Sequence, residues 1–140
     1  MIISEPREEI AKWAGDKIGC TFKPPFSALA CVNEANEIQA AAIFNNWSDF
    51  DICVSVAAKK VSRQLLMSCA SYVFEQLKCT RATLRTRIDN LAAQKALKRI
   101  GAQLEGRQTA YFGDCDALVF GILKKDFASG LSNTSNTSRP

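Results

Sequence analysis

Histidine is absent from this 140-residue sequence. The missing imidazole excludes Ser-His-Asp and Cys-His catalysis, and it removes a ligand that most zinc sites use. Chemistry in this protein must therefore rely on carboxylates, lysine, tyrosine, serine, backbone amides, water or a bound cofactor. We expect no metal site.

A long apolar run is missing as well. The first residues, MIISEPREEIAKW, carry Glu5, Arg7, Glu8 and Glu9 where a signal peptide needs an unbroken apolar stretch. No later segment is long enough to span a bilayer, so we expect a cytoplasmic protein. The length predicts one domain, and a hydrophobic content of 47% is enough to form its core.

The six cysteines never form a C-x-x-C motif. Most of them lie in apolar runs, where a free cysteine behaves as a small hydrophobic residue. We interpret them as reduced core thiols. The alternatives are a disulfide framework or a metal site.

The net charge of +4 is too small to indicate nucleic-acid binding by itself, but its distribution is uneven. Seven Lys or Arg residues lie between Arg81 and Arg107, against Asp89 and Glu105. This predicts an anionic ligand near the second half of the chain. Arg81, Arg85 and Arg87 could contact nucleic acid, yet a solvated strand face explains them as well, because no strand pairs aromatic with basic residues.

Periodicity and turn residues predict an ordered series of elements. We expect a first helix capped by Ser4 and ended by Gly19, followed by a β-hairpin with strands at 27–33 and 37–47. A strand at 50–58, a helix at 62–78, a strand at 81–88 and a helix at 90–100 come next. Two strands, 103–112 and 117–123, end the predicted domain at residues 1–127. The polar tail at 128–140 has almost nothing apolar to bury and is predicted to be disordered.

The start of the 62–78 helix carries cations in an unfavourable place. Lys59, Lys60 and Arg63 lie at the helix end where the dipole is positive, which costs about 0.3–1 kcal/mol for each cation. A docked anion would explain the arrangement, because free backbone N–H groups and cations then converge on it. The alternative is an exposed, solvated corner.

Asn90 follows a predicted strand and begins the next helix. Asn is a favoured helix cap, so this residue needs no other role. Its amide also lies at the carboxyl end of a strand, where crevices commonly bind ligands. Both interpretations remain open from the sequence.

The run SRQLLMSCASYVFEQLKCTRATLRTRIDNLAAQKALKRIGAQLEG resembles the GNAT superfamily of acyl-CoA-dependent N-acyltransferases. It is similar to the family succession of cofactor helix, QLG-x-x-R, strand, Asn, helix and LGF-x-x-EG, in the branch of ribosomal-protein N-terminal acetyltransferases and small phage-encoded relatives. The resemblance covers about residues 13–127. It implies an α/β GNAT-like fold with a central mixed, mostly antiparallel sheet of about six strands and helices on both faces.

The resemblance also implies that acetyl-CoA enters a V-shaped gap between the strands ending near Ala57 and Ile88. Its pyrophosphate would lie on the start of the 62–78 helix, and its pantetheine arm would contact Asn90. The cofactor-binding residues implied in this way are Val54, Val56, Lys59, Lys60, Val61, Ser62, Arg63, Gln64, Asn90 and Ala93. The implied partner is an amine-bearing protein or small molecule; the oligomeric state is open, with a homodimer as one option.

Three departures from the family pattern concern this site. The segment AAKKVS has none of the glycines of the family's pyrophosphate loop. Leu97 stands where many members have the tyrosine that protonates the leaving thiolate, and Ala93 stands where the N-terminal acetyltransferase branch has a serine. No general acid is therefore transferred from the family.

The reaction implied is direct attack of a neutral amine on a thioester. Backbone amides around Val54 to Val56 would face the oxyanion, and Asp51, then Glu37, are the candidate bases because both are strand carboxylates near the expected gap. The alternatives are a non-catalytic GNAT-like domain that binds CoA or a partner, and a basic nucleic-acid-binding module. Acylation of Cys53 is disfavoured because no histidine can generate its thiolate.

Overall fold

The computed structural model describes residues 1–58 and 62–127. In these residues the chain forms seven strands, three α-helices and one π-helical segment. In chain order they are β1 (Ile2–Ile3), α1 (Arg7–Ile18), β2 (Ser27–Val32), β3 (Ile38–Ser48), β4 (Asp51–Ala58), α2 (Arg63–Ala70), the π-helical segment (Ser71–Gln76), β5 (Arg81–Arg87), α3 (Leu91–Arg99), β6 (Gln103–Gln108) and β7 (Ala117–Leu123). The predicted order is confirmed, with β1 as an addition. The tail at 128–140 lies outside the described residues.

The strands form one sheet in the order β1-β2-β3-β4-β5-β7-β6. Every neighbouring pair is antiparallel except β4 and β5, which are parallel. The predicted mixed, mostly antiparallel sheet is confirmed. It has one strand more than expected, because Ile2 and Ile3 pair with Cys31 and Ala30 at the edge of β2.

Helices cover both faces of the sheet, and two separate cores result. On one face α1 packs Ile10 and Ala14 against Ile43 of β3. On the other face Phe44 and Phe120 belong to the larger core, together with residues of the α2 and α3 side. The neighbours Ile43 and Phe44 are both buried, on opposite faces, because side chains alternate along a strand.

The long helix predicted for 62–78 changes its geometry midway. After Ala70 the backbone widens into the π-helical segment, in which the Leu77 N–H donates to the Tyr72 carbonyl at 2.9 Å. The wider turn changes the helical phase, so Val73 and Phe74 are both buried. Lys78 then turns the chain toward β5 with a positive φ of 61°.

Two details of the sequence prediction are wrong. Ser4 does not cap α1, because the N-cap position is Pro6 and no side chain caps this helix end. The cysteines are free, but they are not uniformly core residues: Cys79 is buried, whereas Cys20 is exposed in the loop after α1. The predicted stop at Gly19 is confirmed, with φ at 91°.

Within the described residues, no helix has the length and apolar character that crossing a membrane requires.

Candidate functional site

The parallel strands β4 and β5 are joined at only two positions. Cys53 pairs with Thr83, and Val54 pairs with Leu84. Beyond these pairs the described parts of the two strands have no further register with one another, although β4 continues to Ala58 and β5 to Arg87. Backbone groups of β4 that face β5 beyond Val54 therefore have no strand partner in this sheet. The result is a gap that opens toward the carboxyl ends of both strands.

On the α2 and α3 side, the gap opens into an apolar cavity of about 410 Å³. Alternate residues of β4 and three consecutive residues of β5 form its floor, and α3 forms one wall. The lining residues are Val54, Val56, Ala58, Leu66, Leu84, Arg85, Thr86, Asn90, Ala92, Ala93, Ala96, Leu97 and Ile100. Its volume lies in the range of small-molecule and cofactor sites.

On the α1 side, the gap opens into a more polar chamber of about 620 Å³. The loop after α1, from Lys17 to Lys23, forms one wall, and Tyr111 and Phe112 of the β6–β7 connection form another. Six residues line both spaces: Val56, Ala58, Arg85, Thr86, Asn90 and Ala93. The cavity and the chamber therefore adjoin across the gap between β4 and β5.

Thr86 lies in the wall that the two spaces share. Its Oγ1 atom is buried and has no hydrogen-bond partner within the described part of the chain. A buried hydroxyl without a partner costs about 1–3 kcal/mol, so such atoms are uncommon in native proteins. Thr86 lines both spaces, but this oxygen has almost no accessible surface, so a ligand atom would reach it only after the side chain rotates.

Asn90 both caps α3 and lines the gap. Its Oδ1 accepts a hydrogen bond from the Ala93 N–H at 3.1 Å, which is the capping arrangement. Its side-chain nitrogen makes no hydrogen bond within the described residues, so the amide donor is available to a ligand. The cap interpretation is confirmed, and this geometry leaves the ligand interpretation open.

At the start of α2, Ser62 is the N-cap, and its Oγ accepts from the Leu65 N–H at 3.1 Å. Arg63 and Gln64 occupy the exposed first turn, where the backbone N–H groups have no helical acceptors. The predicted contacts Lys59, Lys60 and Val61 lie outside the described residues. In chain order α2 follows β4, and its residue Leu66 lines the apolar cavity.

The two candidate bases do not line either space. Asp51 accepts hydrogen bonds from the Thr83 hydroxyl at 2.9 Å and from Arg81 Nε at 3.2 Å. Glu37 lies in the β2–β3 turn, where its Oε1 accepts from Asn33 Nδ2 at 3.3 Å. Asp51 is therefore held by side chains of β5 and Glu37 by its own turn, and neither carboxylate lines the cavity or the chamber.

Arg81 of β5 contacts Asp51 of β4 and also Glu105 of β6, which lies beyond the intervening strand β7. Its Nη2 donates to Glu105 Oε1 at 2.7 Å. The Arg81 guanidinium lowers the pKa of the Glu105 carboxyl, first through this hydrogen bond and then through its charge. Arg81 therefore holds β4, β5 and β6 together at the end of the sheet opposite the gap.

Arg85 lies in the shared wall and has different partners. Its Nε donates to Gln108 Oε1 at 2.8 Å, and its Nη1 lies 3.6 Å from Cys53 Sγ. The guanidinium carbon is 5.1 Å from the centre of the Tyr111 ring. None of these partners is a carboxylate. The sequence offered Arg85 as a nucleic-acid contact or as part of a solvated strand face. It gave no signal for Tyr111, which becomes a chamber residue only through the β6–β7 connection.

Arg87 also borders the chamber, but its charge is balanced. Its guanidinium donates to Asp89 at 3.2 Å and to Asp114 at 3.3 Å. The hydrogen bond from Arg87, followed by its charge, lowers the pKa of the Asp114 carboxyl. Over residues 1–58 and 62–127, no group of three Cys, Asp or Glu side chains is placed to hold a metal ion.

Comparison with solved structures identifies the fold. A spermidine/spermine N-acetyltransferase SpeG from Vibrio cholerae superposes with a TM-score of 0.72 at 11% identity, covering 92% of this chain and 95% of that one. An acetyltransferase candidate from T. thermophilus superposes with a TM-score of 0.68 at 17% identity, covering 84% of this chain and 69% of that one. The chain has the GNAT fold. No family model and no curated protein matches the sequence.

The GNAT fold gives a structural meaning to three departures from the family pattern. Lys78 stands where the family pattern QLG-x-x-R has glycine, and its φ of 61° is the left-handed conformation that favours glycine. The backbone turn is thus retained although the glycine is not. Ala93 and Leu97 line the apolar cavity. They supply no hydroxyl there, so this wall offers no acid.

Proposed function

We propose that this protein is an acetyl-CoA-dependent N-acetyltransferase. The observation that carries the proposal is the separation of β4 and β5 after two paired residues, which joins an apolar cavity on one face of the sheet to a polar chamber on the other. Such a passage lets two reactants approach one another from opposite faces. The proposed acceptor is a primary amine on a protein N-terminus, a small molecule or an aminoacyl group.

The residues of the apolar cavity suit the pantetheine arm of acetyl-CoA. This arm has an apolar backbone and two amides, and the cavity offers apolar walls with a partnerless Thr86 hydroxyl and a free Asn90 amide nitrogen. The backbone of Val54 to Val56, which no longer pairs with β5 beyond Val54, would supply N–H groups to the thioester oxygen. Ala93 would contact the arm through its methyl group.

The start of α2 would bind the pyrophosphate. The exposed N–H groups of Arg63 and Gln64 and the positive end of the helix dipole favour an anion there. Ser62 would contribute through its cap, which fixes the helix start. We propose Lys59, Lys60 and Val61 as further contacts on the basis of the sequence, because charge replaces part of the close approach that family glycines allow.

Bound acetyl-CoA supplies an acyl thioester, to which the amine nitrogen adds with formation of a C–N bond, loss of the C–S bond and release of CoA thiol. The chamber holds no carboxylate among the described residues that could remove the ammonium proton. Its cations provide another route, since a nearby like charge disfavours the ammonium form and releases the proton to water. Alignment across the gap would supply much of the remaining rate enhancement.

Tyr111 is the proposed proton donor to the leaving thiolate. The chain has two tyrosines. The Tyr72 hydroxyl is hydrogen-bonded to Ser27 at 2.7 Å and lies away from both spaces, whereas Tyr111 lines the chamber next to Arg85. Tyr111→Phe should lower kcat by about ten- to a hundredfold while leaving acetyl-CoA affinity unchanged.

Calorimetric titration with acetyl-CoA, followed by a CoA-thiol release assay on a panel of amines, tests the proposal. Binding together with turnover supports the enzyme. Binding without turnover on any amine indicates a GNAT-fold domain that is not a catalyst. Absence of acetyl-CoA binding, with nucleic-acid affinity that falls steeply with salt, supports the basic-module alternative and overturns the proposal.

A further inference from the structure

The chamber on the α1 side has an unusual balance of charge. Four cationic side chains line it: Lys17, Lys23, Arg85 and Arg87. Among the described residues that line it, none is Asp or Glu. Residues 59–61 and 128–140 contain no Asp or Glu either. The chain's own side chains outside the described ranges therefore cannot supply the missing carboxylate.

Of these four cations, three are not balanced by a carboxylate. Arg87 is paired with Asp89 and Asp114. Lys17 lies 5.5 Å from the centre of the Trp13 ring, and Lys23 forms no ion pair within the described residues. Arg85 is held by neutral groups alone. A ligand in this chamber consequently meets a net positive potential.

Arg85 lies beside the point where β4 and β5 separate. It follows Leu84, the last residue of β5 that pairs with β4, and its Nη1 reaches Cys53 on the opposite strand. It also lines both the cavity and the chamber. Gln108 fixes the guanidinium through Nε, and Nη2 makes no hydrogen bond within the described part of the chain. Guanidinium N–H groups bind carboxylate and phosphate oxygens well.

We infer that the acceptor is a small amine that also carries a carboxylate or phosphate, and that Arg85 binds this anionic group. The inference rests on the proposed acetyl transfer and specifies its acceptor. One of the compared structures is, by its name, a spermidine/spermine N-acetyltransferase. A polyamine of that kind would bring several positive charges into a chamber that already has three unbalanced cations. A chamber of about 620 Å³ suits a small molecule.

The test compares pairs of amines in which one member carries an anionic group and the other does not. The pairs are 4-aminobutyrate with 1,4-diaminobutane, and O-phosphoethanolamine with ethanolamine, so that the carboxylate and the phosphate are tested separately. For each amine, CoA-thiol release gives kcat/KM, and calorimetry gives the affinity for protein with and without CoA. We expect at least one anionic amine to be preferred over its partner by about tenfold or more, the effect of one charge-assisted contact.

Variants then assign the preference to Arg85. Arg85→Gln should remove the preference for the anionic amine, by about tenfold. Because Arg85 also lines the cavity, kcat/KM for the partner amine without the anionic group, measured in the same variant, is the reference that corrects for any change in acetyl-CoA binding. Arg107→Gln is the matched control, because Arg107 is paired with Asp116 and does not line the chamber. It should keep the preference. Thermal unfolding of both variants checks that the fold is intact.

The outcomes separate the inference from the proposed function. Acetylation that favours the diamine or the neutral amine, or no binding of either anionic amine, overturns the inference and leaves acetyl transfer standing. An unchanged preference in Arg85→Gln also overturns it. Failure of acetyl-CoA itself to bind overturns the proposed function instead, and the anion-binding measurement without CoA still tests the chamber.

Discussion

Asp51 and Arg81 are joined across the junction of β4 and β5, with Arg81 Nε donating to Asp51 Oδ1 at 3.2 Å. The Thr83 hydroxyl donates to the same carboxylate at 2.9 Å. Both contacts lie beside the Cys53–Thr83 pair, where the strands are still joined. Asp51, which the sequence offered as first candidate base, therefore stabilises the pairing of β4 with β5 in this structure.

Asp51→Asn should consequently affect stability more than catalysis. The substitution weakens hydrogen bonds to a charged partner, so the free energy of unfolding should fall by about 1–3 kcal/mol. Chemical denaturation measures this change, and thiol-release kinetics at a temperature where the variant is folded should give kcat within about threefold of wild type. A collapse of kcat with unchanged stability would instead identify Asp51 as the base.

Asn90→Ser separates the two roles of the asparagine. Serine is as good a helix cap as asparagine, so the melting temperature should remain close to that of wild type. The variant lacks the amide donor that faces the cavity, and the Kd for acetyl-CoA should rise by about three- to tenfold. Asn90→Ala, which loses both groups, should lower stability by about 1 kcal/mol as well. An unchanged Kd in both variants would show that Asn90 is a cap alone.

Thr86→Val should weaken ligand binding without weakening the fold. Valine has nearly the shape of threonine and removes the buried Oγ1, which has no partner among the described residues. We expect stability of the free protein to be unchanged or raised by roughly 1 kcal/mol, and acetyl-CoA affinity to fall by about three- to tenfold. Thr86→Ser, which keeps the hydroxyl, is the control for binding. A destabilised Thr86→Val protein with normal affinity would contradict the assignment.

Lys78→Gly should stabilise the protein. The left-handed conformation at φ 61° costs a non-glycine residue about 1–2 kcal/mol, and the greater freedom of glycine in the unfolded chain offsets about 0.5–1 kcal/mol of the gain. We expect a net rise of up to about 1 kcal/mol in the free energy of unfolding. Lys78→Ala, which removes the long side chain but keeps the left-handed strain, should show no such rise. Equal stability of the two variants would contradict the explanation.

The sequence determined the elements themselves, because their signals are local. Side-chain alternation predicted β5, helical spacing predicted α1 and α3, and the Gly19 and Asn90 positions ended one helix and began another. Where a local signal misled, the cause was also local: Ser4 is a good capping residue, but the chain begins α1 after Pro6. The π-helical turn after Ala70 had no signal in the hydrophobic pattern.

The tertiary structure decided which of these elements meet and which side chains remain without partners. Cys53 and Thr83 are thirty positions apart, and no local pattern states that pairing of their strands stops one residue later. The same long-range register pairs Arg81 with Asp51, whereas Arg85 has only neutral partners. Asp51, Arg81 and Arg85 are all charged strand residues, so the sequence pattern does not distinguish these outcomes. Periodicity assigns a side chain to a face of the sheet, whereas its partner depends on contacts between distant segments. For that reason the elements could be predicted from local patterns and the fold from the resemblance to a family, while the charge of the chamber became visible only in three dimensions.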